Sequence, residues 1–76
     1  MTRKGLFAID NIVRRLREDM GLTQAELAAH TNVSRQTINA IETGKYDPSI
    51  WLAYSLSRVF GRPIEQIFIF EEGVQL

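Results

Sequence analysis

The chain has 76 residues, no cysteine, and nine basic side chains against nine acidic ones, so its formal net charge is zero. One small domain follows from that length, without disulfides or thiolate metal sites, and an apolar content of 45% excludes a disordered chain. No apolar run approaches the roughly 20 residues of a membrane span, and Asp10 interrupts the weak apolar patch near the start, unlike a signal peptide, so a cytoplasmic location is expected.

Gly21, Gly44, Asp47-Pro48 and Gly61 punctuate the chain, with a weaker break at Asn32-Val33-Ser34. The first segment carries Ile12, Val13, Leu16 and Met20 at helical spacing, which predicts a helix over 11–20 with Asp10 as its N-cap and Gly21 past its end. Thr23-Gln24-Ala25-Glu26 is a capping box, with Leu22 as a staple opposite Leu27, and predicts a helix over 23–30. Its alanines (Ala25, Ala28, Ala29) allow another helix to approach closely. Asn32 falls where a tight turn needs a left-handed residue, which Asn tolerates better than most non-glycines.

Ser34 caps a third helix over 34–43 that turns Ile38 and Ile41 inward, with Val33 just before it, and Gly44 stops it. Ser49 begins a fourth helix over 49–60, with Ile50, Leu52, Ala53, Leu56, Val59 and Phe60 as its core stripe. Pro63 opens a short fifth helix over 64–68 with Ile64, Ile67 and Phe68. Residues Ile67 to Phe70 read either as a last helical turn or as an extended strand that puts Phe68 and Phe70 on one face. The expected fold is a compact all-α domain of five helices with a short C-terminal extension. Residues 1–10 are expected to form an arm, 11–70 the domain and 71–76 a tail.

The second and third helices have the anatomy of a helix-turn-helix: a short helix, a tight turn, and a second helix crossing steeply over small Ala28. The outward face of the third helix is then Arg35, Gln36, Thr37, Asn39, Ala40 and Thr43. Arg suits guanine O6/N7, and Gln or Asn suits adenine N6/N7, so the face is fit to read bases.

The run LTQAELAAHTNVSRQTINAIETGKYDPS, with NIVRRLREDMG before it and LSRVFGRPIEQIF after it, resembles the phage Cro/repressor (XRE) family of helix-turn-helix regulators over roughly Asn11 to Phe70. The resemblance is to the compact, stand-alone prokaryotic members, whose fold is lambda repressor-like. It implies that Arg35, Gln36, Asn39 and Ala40 read bases or a thymine methyl. It further implies that Gln24, Thr37, Thr43 and Lys45 hold phosphates, with Gln24 bracing Arg35, and that Arg17 pairs with Glu42. Departures from the family pattern are Asn32 for Gly in the turn, Thr31 for a large apolar residue, an aromatic Trp51, and Pro63 for a capping Ser.

The function expected is a sequence-specific regulator of transcription, a repressor acting as a homodimer on a palindromic site in double-stranded DNA. Phe68, Ile69 and Phe70 form an apolar cluster too large for so small a core. With the Trp51, Tyr54 and Arg58 stripe, they make Trp51, Tyr54, Ile67, Phe68 and Phe70 the candidate dimer contacts. A different class of function would use the same aromatic surface: a protein-interaction module such as an antitoxin that neutralises a partner.

No enzyme, cofactor, metal or membrane role is expected. His30 is the only His and has no ligands spaced around it, Ser34 and Ser49 are caps rather than nucleophiles, and the carboxylates are not convincingly paired. Five helices use nearly the whole chain, so no small-molecule effector is expected.

Zero net charge argues, at face value, against nucleic acid, since such domains are usually basic. The distribution softens that objection. The acids are spread evenly, whereas five of the nine bases precede Gly21. With Arg17 neutralising Glu42, Arg35 and Lys45 face only Asp47. Specificity would then rest on Arg35, Gln36 and Asn39 more than on bulk charge. An arm bearing Arg3 and Lys4 would touch the DNA backbone or minor groove.

Overall fold

The structure, a computed structural model, describes residues 9–70. In chain order the elements are β1 (Ile9–Asn11), α1 (Val13–Asp19), α2 (Gln24–Thr31), α3 (Arg35–Glu42), α4 (Ile50–Phe60), α5 (Ile64–Ile67) and β2 (Phe68–Phe70). The five helices enclose one core in which Val13, Leu27, Ile38, Ile41, Leu56 and Ile67 are fully buried. Each such side chain contributes about 1.5–3 kcal/mol through removal from water. The basic arm, Arg3 and Lys4 included, and the tail with Glu71 and Glu72 lie outside the described residues.

Local chemistry sets most of the helix ends. The Thr23 hydroxyl accepts from the Glu26 amide while the Glu26 carboxylate accepts from the Thr23 amide, completing the capping box of α2. Ser34 and Ser49 cap α3 and α4 by accepting from the amides of Thr37 and Leu52. Asn32 (φ 61°) and Gly61 (φ 66°) close α2 and α4 in the left-handed region. Thr31 is buried in the junction between α2 and α3, and its hydroxyl donates to the Leu27 carbonyl at 2.9 Å, so this polar substitute for an apolar residue is satisfied.

Four expectations are corrected. Asp10 does not cap the first helix: it lies in β1, and Asn11 supplies the side-chain acceptor instead, taking the Val13 amide at 3.0 Å. Met20 is exposed rather than in the core because α1 stops at Asp19, one residue before it. Ile50 is 79% exposed. It opens α4, and helical side chains lean toward the N-terminus, so it projects past the packed end while Leu52 and Ala53 take the core face. Ile67 and Phe68 are buried in the domain's own core and are therefore not available as dimer contacts.

The C-terminal extension is a strand. It pairs antiparallel with β1 in the register Ile9↔Phe70, Asp10↔Ile69 and Asn11↔Phe68. Ile9 and Asp10 thus belong to the folded domain rather than to an arm. Phe68 and Phe70 share a face, lining one apolar pocket with Pro48, Ala53 and Ile64, but only Phe68 is sealed into the core while Phe70 remains exposed. The ribbon is fastened to the helices by the Ile12 amide, which donates to the Ile67 carbonyl at 2.9 Å, and by Asn11 Nδ2, which donates to the Ile41 carbonyl at 3.0 Å.

Candidate nucleic-acid interface

The helix-turn-helix is α2, a turn at Asn32-Val33-Ser34, and α3. The turn is held by the Val33 amide, which donates to the Ala28 carbonyl at 3.0 Å. Ala28 is buried and Val33 packs against the core, so small and medium side chains fill the crossing. With Ile38 and Ile41 fully buried, α3 cannot rotate without exposing them, and its other face is fixed outward. On that face Arg35, Gln36, Asn39 and Thr43 are exposed, and Thr37 and Ala40 are half-buried. Lys45 follows, exposed on the connector, with its amide anchored to the Ala40 carbonyl at 2.9 Å.

Beneath this face lies a connected polar network. Arg17 Nε donates to Glu42 Oε2 at 2.7 Å, and Nη2 donates to Oε1 at 3.3 Å. Their side chains are 11% and 3% exposed, so this is a shielded, bidentate pair. Arg17 Nη1 donates to the Leu22 carbonyl at 2.7 Å, which fixes the loop before α2. The hydrogen bond to Glu42 raises the Arg17 pKa above its ordinary value, against the opposing effect of burial. The two helices are thereby tied together by a charge pair that loses several kcal/mol if one member is removed.

Glu42 connects this pair to the reading face. Gln24 Nε2 donates to Glu42 Oε1 at 3.0 Å and to Asn39 Oδ1 at 3.1 Å, while Gln24 Oε1 accepts from Arg35 Nη1 at 3.2 Å. Arg17, Glu42, Gln24, Asn39 and Arg35 therefore form one continuous group. Both amide hydrogens of Gln24 are committed inside the protein, so a phosphate contact by Gln24 requires exchange of one of these bonds. Thr43 Oγ1 donates back to the Asn39 carbonyl at 2.9 Å, and Thr37 Oγ1 lies 2.9 Å from Ser34 Oγ. These two hydroxyls likewise have partners already.

One residue of this surface was missed in the sequence. Tyr46, exposed, joins Ser34, Gln36, Thr37 and Ala40 around a shallow concavity beside α3. Its place directly after Lys45 in the connector was the available signal, and the phenol adds a hydrogen-bonding group at the edge of the face. The candidate dimer contacts lie elsewhere. Trp51 is 76% exposed and packs edge-on against Tyr54, with ring centroids 6.4 Å apart. Arg58 lies over the Tyr54 ring and donates to its hydroxyl at 3.1 Å. Among the described residues no cluster of His, Asp or Glu is arranged to hold a metal ion, and no helix is long and apolar enough to cross a membrane.

Comparison with known proteins agrees with this architecture. The helix-turn-helix family profile matches residues 13–67. An uncharacterised HTH-type transcriptional regulator of Methanothermobacter thermautotrophicus is 50% identical over 62 residues, covering 80% of this chain and 90% of the relative. Another, of Methanocaldococcus jannaschii, is 59% identical over 51 residues, covering 67% of this chain and 77% of the relative. Among solved structures, the clp gene regulator ClgR of Corynebacterium glutamicum superposes with a TM-score of 0.64 at 31% identity, covering 68% of this chain and 55% of that one. The restriction-modification controller protein C.AhdI of Aeromonas hydrophila shares the fold, with a TM-score of 0.66 at 24% identity over 71% of this chain and 82% of its own. On its capped α2, left-handed turn, outward-facing α3 and these matches, the chain belongs to the XRE-type helix-turn-helix family of transcriptional regulators.

Proposed function

We propose that this protein is a sequence-specific, double-stranded DNA-binding regulator, a repressor that acts as a homodimer on a palindromic operator. The observation that carries the reading is the outward face of α3, where Arg35 and Asn39 are held by Gln24 above a rigid core. In this reading Arg35, Gln36, Asn39 and Ala40 meet base edges in the major groove, and Lys45, Thr43 and Thr37 meet phosphates, with Tyr46 at their edge. Gln24, expected from the family resemblance to hold a phosphate, keeps both amide hydrogens on Glu42 and Asn39 and braces the face. The relatives described above are named as regulators, which favours this role over a module that neutralises a protein partner.

Two copies would set their α3 helices in successive major grooves, about 34 Å apart. With Ile67 and Phe68 buried, the candidate dimer contacts that stay exposed are Phe70, Trp51 and Tyr54, with Ile69 beside Phe70 on the ribbon. Light scattering coupled to size exclusion at micromolar concentration is expected to give a dimer, and a monomer there would remove this part of the proposal. Selection from a random DNA library is expected to return a two-fold symmetric site. On that site Arg35→Ala should cost about 1–3 kcal/mol in a gel-shift titration and relax one base position. Unchanged affinity and unchanged preference would show that α3 does not dock in this way.

A further inference from the structure

The hydrogen bonds around Gln24 carry a consequence for which bases this protein prefers, and it rests on the DNA-binding reading above. An amide side chain can be turned either way, and its partners decide which end points where. Here the decision starts at Glu42. Its carboxylate is engaged by Arg17 at 2.7 Å and is an acceptor only. The end of Gln24 that meets Glu42 Oε1 at 3.0 Å must therefore be the amino group. The second hydrogen of that group reaches Asn39 at 3.1 Å, so the atom Asn39 turns toward Gln24 must be an acceptor, its Oδ1. Gln24 Oε1 is left for the guanidinium of Arg35, a donor only, at 3.2 Å. Each step follows from the chemistry of the preceding group.

We infer that Glu42, acting through Gln24, is a positioning residue for specificity: it sets the polarity of Asn39 so that the Asn39 amino group faces the DNA. Asn39 then offers hydrogens rather than a lone pair at its leading edge. The base edge it favours presents an acceptor in the major groove: N7 of either purine, guanine O6 or thymine O4. The cytosine edge, which offers the N4 amino group, is disfavoured. Arg35 is held in the same array, so its fork is also aimed before DNA arrives, and both preferences depend on one relay residue. A charge pair shielded under the surface thus reaches the reading face without touching DNA.

The test is selection of bound sites from a random DNA library by the full chain and two variants, each position scored by its base preference. Gln24→Ala removes the relay and leaves the Arg17–Glu42 pair. It is expected to cut discrimination roughly tenfold at the base facing Asn39 and to weaken it at the base facing Arg35. Asn39→Asp keeps the acceptor toward Gln24 and replaces the amino group facing the DNA with a second acceptor. It is expected to move preference at that one position toward cytosine, whose edge presents an amino group. Thermal unfolding of both variants checks that the domain is intact. A uniform loss of affinity across all sites, with the preference profile unchanged in both variants, would make Gln24 only a phosphate contact and overturn the inference. If the unmodified chain selects no site at all, the DNA-binding reading itself fails, an outcome distinct from selection that ignores residue 24.

Discussion

Glu26 links a helix end to pH through one side chain. The hydrogen bond from the Thr23 backbone amide, with a further contribution from the Thr23 side chain, holds the Glu26 carboxyl below its ordinary value of 4.5. A carboxyl whose folded pKa is depressed contributes stability that is present above the unfolded value and lost as the pH falls through the folded one. Glu26→Gln keeps an acceptor for the Thr23 amide but does not titrate. Thermal melts from about pH 7 to about pH 3 are expected to show the variant less stable at neutral pH and converging with the parent as the medium acidifies. Two curves separated by a constant offset would exclude this account. The capping box was legible because its groups lie within four consecutive residues. The Arg17–Glu42 pair was implied only by family resemblance, since 25 residues separate its members and no local pattern joins them.

The helix-turn-helix depends on the conformation of its turn. Asn32 at φ 61° and ψ 42° is the one non-glycine residue with positive φ among those described. Asn32→Ala keeps the Cβ but removes the short polar side chain that lets Asn occupy this region, at a cost of about 1–2 kcal/mol, whereas Asn32→Gly removes the Cβ and should avoid that penalty. Urea unfolding of the two variants side by side checks the order, and equal loss in both would point to the Asn side chain rather than to the backbone. Helices with caps or glycine stops could be bounded in the sequence because those signals are local. The strand β1 could not. Three residues carry too little alternation to announce a strand, and its partner lies some 60 positions away. The same non-local pairing explains Asp10, a sound N-cap by type, lying within a strand while Asn11 performs the local task one residue later.

For the molecule as a whole, charge distribution matters more than its sum. Glu42 is neutralised internally by Arg17, and Arg14 pairs with Glu18 across one turn at 3.1 Å on an exposed surface. The reading face keeps Arg35 and, on the connector, Lys45. Such a surface fits a protein whose affinity depends weakly on salt, with few phosphates neutralised per copy. Lys45→Ala should weaken binding to all sequences alike and lower the salt slope by about one per copy. A gel-shift series across ionic strength checks this, and a slope equal to that of the parent would remove Lys45 from the phosphate contacts. The fold class and the outward face of α3 were legible because periodicity and caps agreed along the chain. The division between core and surface at the C-terminal end was not. A run of alternating Ile and Phe shows that one face is apolar, but only the position of β2 against α5 decides that Phe68 is enclosed and Phe70 is not.

The β1–β2 ribbon has a mechanical consequence. Ile9 and Phe70 are register partners at the same end of an antiparallel pair, so the chain enters and leaves the described domain about 5 Å apart. A pull on the two ends therefore separates the strands in unzipping geometry, bond after bond, instead of shearing them all at once. The next restraints in line are those that fasten Asn11 to Ile41 and Ile12 to Ile67. Tension reaches the ribbon before any helix, so the ribbon is the fold's mechanical fuse. Sequences fused at residue 9 or residue 70 would emanate from a single point.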